Sequence, residues 1–178
     1  MALTSRNRSG GASRRSTVCV PRRSESRAEQ ACAKACARAG FTVHFWDMAS
    51  GATALDGTPE PAMAPVGTNG SDPDKLLTNI AKREGSRDVW ILRDFPAWWD
   101  GPSPAAMTTL RRVRNMARPD GLPSKLSRDA QALIVLTPTL AVPPQLANHI
   151  TVLELPLPDR KEIGELLEDA ITSAVQGI

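Results

Sequence analysis

Two short runs of this chain are apolar at every residue: "VWIL" at 89–92 and "ALIVL" at 132–136. A strand with one face in water alternates polar and apolar side chains, whereas a strand without a polar face is covered on both sides. Each run is bounded by polar or turn residues, and the two together predict central strands. A helical pattern lies between them. A helix is the usual crossover between parallel strands, so the pair predicts a parallel sheet with helices on both faces.

The rest of the chain repeats that alternation. Strands are expected near 16–20 ("STVCV"), 41–46 ("FTVHFW"), 88–94 ("DVWILRD"), 131–137 ("QALIVLT") and 150–155 ("ITVLEL"). Helices are expected over 26–40, 72–85, 103–118 and 159–177. The first opens on Ser26 and Glu29, a capping box, and closes on Gly40 at C′. The second has Asp72 as cap, Pro73 at the first position and Gly85 at its end. The third has Ser103 as cap and Pro104 next, with Met107, Leu110, Val113 or Arg114, and Ala117 as its inner stripe. The last opens on Asp159 and Glu162. Ile163, Leu166, Leu167, Ala170, Ile171, Ala174 and Val175 make its apolar stripe. Residues 48–72, rich in Gly, Pro, Ser and Thr, read as a mobile surface loop. The expected fold is α/β, a three-layer sandwich formed by residues 16–178 as one domain.

Charge is unevenly placed. The chain carries 22 Lys plus Arg against 19 Asp plus Glu, a net of +3. Residues 1–24 hold six arginines and no acid, so the remainder holds 16 basic against 19 acidic residues, a net of −3. That body is a poor electrostatic match to nucleic acid. With aromatics at 4% and no Tyr, it lacks an RNA-stacking surface as well. Residues 1–15 read as a disordered basic tail, with an organelle transit peptide and a phosphate-binding arm as alternatives. No apolar run resembles a secretory signal or reaches 18 residues, so no membrane contact is expected. The expected compartment is the cytoplasm, or an organelle stroma or matrix. Cys19, Cys32 and Cys36 fit buried free thiols in a reducing compartment; a metal held by Cys32, Cys36 and a distant His is the alternative.

In such a sheet the working surface is the carboxyl edge of the strands. The loops there are 21–26, 47–51, 94–102 and 137–143. Asp94 ends an apolar strand, which is where many nucleotide hydrolases hold magnesium; pairing with Arg23, or capping the turn before Trp98, is the structural alternative. Arg22 and Arg23 lie at the start of the first helix, where amide dipoles favour an anion. His44 and His149 read as structural. There is no Gly-x-Ser-x-Gly turn and no acid–base carboxylate pair. Trp98 and Trp99 follow the strand end beside Pro96, Gly101 and Pro102. One is expected to pack into the domain, and the other, if exposed, to anchor a partner.

The stretches "VWILRDFPAWW", "ALIVLTPTLAVPPQLANHITVLELPLPDRKEI" and "VCVPRRSESRAEQ…FTVHFWDMASG" resemble one kind of domain. It is the degenerate N-terminal domain of a two-domain AAA-type ATPase family known from cyanobacteria, plastids and other bacteria. The resemblance covers residues 16 to about 175. It implies a P-loop NTPase-like core with strand order five-one-four-three-two and without a phosphate loop. Asp94 matches the acid of the magnesium-holding strand, and Phe95 stands where an active ATPase has its catalytic Glu. Thr137 matches the residue that senses the terminal phosphate, and the segment from Pro158 leads out of the core. A phosphate loop needs glycines for close backbone approach and a Lys for the phosphates. Its equivalent here, "PRRSES" at 21–26, has neither Gly nor Lys. The resemblance therefore implies an interaction or regulatory domain with no cofactor, acting with an ATPase domain or subunit, and allows an oligomer. Phe95, Trp98 and Trp99 are its candidate partner surface. Weak binding of ATP and magnesium through Arg22, Arg23, Asp94 and Thr137 is the first alternative, and a nucleic-acid accessory role for the tail is the second.

Overall fold

The computed structural model describes residues 4–5, 17–21, 25–63, 66–67, 70–83, 85–117, 131–138, 142–154 and 158–176. Strands are β1 Thr4–Ser5, β2 Thr17–Pro21, β3 Thr42–Asp47, β4 Gly51–Ala54, β5 Val66–Gly67, β6 Gly70–Ser71, β7 Asp88–Arg93, β8 Ala132–Thr137 and β9 Thr151–Glu154. Helices are α1 Glu25–Arg38, α2 Pro73–Lys82, α3 Pro104–Ala117 and α4 Arg160–Gln176. The main sheet runs β1-β9-β2-β8-β7-β3-β4, and β5 and β6 pair separately.

From β9 to β3 every neighbour is parallel, while β1 on β9 and β4 on β3 are antiparallel. The sheet is thus mixed, not the wholly parallel five-stranded one expected. The added edge at β4 comes from a tight turn that the long polar segment conceals. The Asp47 carboxylate accepts hydrogen bonds from the amides of Ala49 and Ser50 at 2.9 and 2.6 Å. Gly51 then takes a φ of 73°, open to glycine at little cost, and reverses the chain.

The segment from 48 to 63 is therefore anchored rather than a mobile loop. The Glu60 amide donates to Ala52 O, and Asn79 of α2 donates to Ala62 O and Met63 O.

Alternation along the strands separates two cores. Val43, Phe45, Val89, Ile91, Ile134 and Leu136 face α1, where Ala28, Cys32 and Ala33 give a low-profile helix surface. On the opposite face Trp46, Trp90, Leu92, Leu133 and Val135 meet Leu76, Leu77 and Ile80 of α2 and Val113 and Met116 of α3. Apolar residues on both faces are what made the central strands legible.

Two local expectations fail. Helix α1 starts at Glu25, so Ser26 lies inside it, and the Glu29 carboxylate binds Arg93 instead of closing a capping box. Its other end follows expectation. Phe41 N donates to Cys36 O and Gly40 N to Ala37 O, a Schellman pair that needs Gly40 at φ 77°. On α3 the buried residues are Ala106, Thr109, Val113, Met116 and Ala117. Met107, expected inside, is 63% exposed, because the helix turns the neighbouring small Ala106 towards the sheet.

Candidate functional site at the carboxyl edge of the sheet

Strand β7 ends on one charged residue, Arg93, and a second, Asp94, follows it. Arg93 lies over the Phe45 ring and binds Glu29 of α1 (2.6 and 3.2 Å) and Asp47 of β3 (2.9 Å). One planar guanidinium thus ties the second turn of α1 to the ends of β3 and β7, using the fork geometry that suits Arg to carboxylates. Burial alone would raise the Asp47 pKa. The Ser50 amide, Arg93 and the Ala49 amide outweigh it and hold the carboxyl below its ordinary value. Arg93 is held above its own, since Glu29 and Asp47 outweigh the burial that would lower it.

Asp94 follows in the left-handed region at φ 51°, a conformation that Asp tolerates better than most residues. Its amide donates to Leu136 O at 3.1 Å, which carries the β7–β8 ladder one step further and then turns the chain away. The expected cap does not form: the Asp94 side chain makes no capping hydrogen bond to the 3-10 turn Phe95–Trp98. Pro96 supplies the fixed φ of that turn. Pro96 O accepts from the amides of Trp99 and Asp100, both at 3.1 Å.

The turn sorts its aromatic residues. Phe95 is fully buried, edge-on to Trp46 and Trp99 with centroids 5.4 and 5.5 Å apart. Trp99 is 6% exposed. Phe95 and Trp99, expected at a partner surface, are core groups held by the same packing that fixes the turn. Trp98 is half-buried against that core and keeps one side in a second, smaller cleft.

Two clefts flank Asp94. The larger, about 640 Å³, lies between the turn at 94–102, α3 and residues 137–145; Asp94 and Thr137 both line it. Thr137 is 2% exposed at the end of β8. The smaller, about 360 Å³, is lined by Asp47, Met48, Arg93, Asp94 and Trp98. The structure thus brings together Asp94, Thr137, Trp98 and Trp99. Arg22 and Arg23 lie outside the described residues, whereas Cys19 lies in β2, in register with Val135 of β8 and Val152 of β9. Cys32 is pushed up to about 11 by burial, then by Cys36 and Glu29, and Cys36 is raised by burial, so neither is a ready thiolate. Among the described residues no group of three or more His, Cys, Asp or Glu is placed to hold a metal, and no helix is long and apolar enough to cross a membrane.

A second polar cluster sits at the other end of β7, unforeseen from the sequence. His44 stacks on Trp90 at 4.4 Å and places Nδ1 2.8 Å from Glu60 and Nε2 3.5 Å from Asp88. Arg83, just after α2, stands 2.7 Å from Asp88. The cluster closes the amino end of the sheet and pins the 55–63 segment. His149 is half-buried in the turn 144–149, before β9 and not on it.

Residues 12–155 match the model of one protein family, described as the SpoVK-like AAA ATPase, N-terminal domain. A search of curated proteins found no match. With a fold of this kind, an acid at the end of a central strand, and the match running through both, the chain belongs to the family of SpoVK-like AAA ATPase N-terminal domains.

Proposed function

We propose that this domain works beside an AAA ATPase domain or subunit as a binding or regulatory module, and does not hydrolyse nucleotide itself. Membership of a family described as the N-terminal domain of an AAA ATPase supports the partner. An open α/β sheet with helices on its faces is consistent with an AAA-like domain. Residues 1–15, expected as a disordered tail, contribute Thr4–Ser5 to the main sheet as the edge strand beside β9.

Phe95 carries the argument against hydrolysis. An active ATPase of this resemblance has there a Glu that orients the attacking water. Here the side chain is apolar, fully buried and wedged between Trp46 and Trp99. A phosphate-loop stretch without Gly or Lys supports the same reading. Trp98, accessible on a Pro-braced turn, is the partner anchor.

A second reading has one observation in its favour: Asp94 and Thr137 line the same cleft. It predicts binding of magnesium and nucleotide without turnover. The purified domain should show no magnesium-dependent phosphate release above buffer. A rate that disappears in Asp94→Ala overturns the proposal, whereas analogue binding without turnover, lost in Asp94→Ala, selects the second reading.

A further inference from the structure

Residues 55–63 form a strap over the outer edge of β4. Thr53 bridges to Pro59, the Ala54 amide donates to Thr58 O, and the Glu60 amide donates to Ala52 O. The strap buries little. Residues 55–59, 61 and 62 are exposed, and Met63 at its end packs against the core. A segment with so few buried contacts opens locally at low cost. Beyond those backbone bonds it is held by Asn79, which donates to Ala62 O and Met63 O, and by one ion pair, from the Glu60 carboxylate to His44 Nδ1 at 2.8 Å.

His44 is buried and has a carboxylate beside each ring nitrogen. An ionised carboxylate only accepts, so the Glu60 contact puts a hydrogen on Nδ1. On a neutral ring Nε2 is then a bare lone pair, 3.5 Å from Asp88 and without a hydrogen-bond partner. A second proton turns that lone pair into a donor facing the Asp88 carboxylate. The strands on either side add no charge: Ala54 of β4 and Trp90 of β7 stand in register with His44. Arg83, just after α2, is the cation on Asp88. Glu60 and Asp88 against Arg83 leave the cluster one negative charge in excess, and the imidazolium brings it to neutrality. A buried charge without its counter-charge is costly. We infer that His44 is a proton-operated latch on the strap. Charged, it bridges Glu60 and Asp88 and holds residues 55–63 against β4. When Nε2 loses its proton, the excess negative charge is relieved by the acid that can leave. Asp88 is 2% exposed and held by Arg83, whereas the Glu60 side chain is already 26% exposed. Glu60 therefore goes to water, the strap lifts, and Ala52 O and the Ala54 amide are bared at the sheet edge.

Hydrogen exchange followed amide by amide by NMR on the full chain, from about pH 5 to 9, tests it. After correction for the intrinsic exchange rate, the Ala54 and Glu60 amides should lose protection about tenfold or more as pH rises. The Ile91 amide, in the centre of the sheet, should keep its own. The loss should track the titration of the His44 ring signals, which belong to one of only two histidines in the chain. Glu60→Gln changes a partly exposed residue, keeps an acceptor for Nδ1 and removes the charge, so protection in that variant should not vary with pH. Protection that stays constant across the range in the wild type overturns the inference. So does a loss that survives unchanged in Glu60→Gln or departs from the His44 titration, since either assigns it to another group. An equal fall at Ile91 also overturns it, because the whole sheet and not the strap would then be opening.

Discussion

At the start of β7, Asp88 is 2% exposed, with Arg83 on one side and His44 on the other. Six residues later, Asp94 stands exposed on a ridge between two clefts. The same strand thus begins on a carboxylate enclosed by partners and ends on one presented to solvent. Burying an ionised group is costly unless opposite charges surround it, so the enclosed acid is committed to holding the fold together. The presented acid carries no such cost. Its backbone sits at a positive φ that a regular strand end does not require. Local strain of this kind concentrates where a chain is shaped for contact rather than for packing.

The sharpest way to break the comparison is to remove the enclosed charge. Asp88→Ala leaves Arg83 and His44 without their carboxylate and should cost about 3–5 kcal/mol of unfolding free energy. Urea denaturation followed by tryptophan fluorescence measures it. Arg83→Met added to Asp88→Ala should recover part of the loss, because it withdraws the stranded cation. A loss below about 1 kcal/mol would mean that the cluster is solvated and that the two ends of β7 do not differ.

The adjacent tryptophans divide the carboxyl end in the same manner. Trp99→Ala removes a buried ring from the Phe95–Trp46 stack and should cost about 3–5 kcal/mol. Trp98→Ala removes a half-buried one and should cost under about 2 kcal/mol while abolishing partner capture. Thermal melting and pull-down on both variants separate the roles. Early melting of both, with no selective loss of capture, would make the whole turn core.

These differences show what a sequence can carry. The central strands were readable because residues 89–92 and 132–136 are apolar on both faces, and burial on both faces is what makes a strand central. The caps at Asp72 and Ser103 were readable because capping is local: their side chains accept from amides two or three residues on. Glu29 follows the same local rule and still breaks it, because Arg93, distant in sequence, offers a stronger partner. The hairpin to β4 was concealed in a polar segment whose decisive interactions are one Asx turn and one glycine. The His44–Asp88–Arg83–Glu60 cluster joins residues of β3 and β7 with residues of two connecting segments, and no spacing along one chain encodes that meeting. At the site, Asp94 and Thr137 were legible as strand ends, whereas the division between Trp98 and Trp99 depends on which way a 3-10 turn rotates each ring.

A smaller effect is expected at Asp94 itself. Asp94→Gly suits the left-handed backbone at an exposed position, so stability should stay within about 1 kcal/mol of the wild type. A larger loss, read from the same urea curves, would place Asp94 with Asp88 as a structural acid.

The smallest effect belongs to the ion cluster at the carboxyl end, where Asp47 and Arg93 are only partly covered. The folded state holds the Asp47 pKa below its ordinary value: burial pushes it up, but the Ser50 and Ala49 amides and Arg93 outweigh burial. A carboxyl depressed in the folded state stabilises the fold above its unfolded pKa, about 3.9, and loses that contribution as pH falls through the lower folded value. Asp47→Asn should therefore lower the melting point by a modest, constant amount between about pH 5 and 8, and the gap to the wild type should close below about pH 4. Melting curves across that range decide the matter. The absence of a gap at any pH would mean that Asp47 acts through its geometry, as the acceptor that turns the β3–β4 hairpin, and not through its charge. An Asn side chain accepts the same two amide hydrogen bonds but cannot pair with Arg93, so the variant separates the turn from the ion pair.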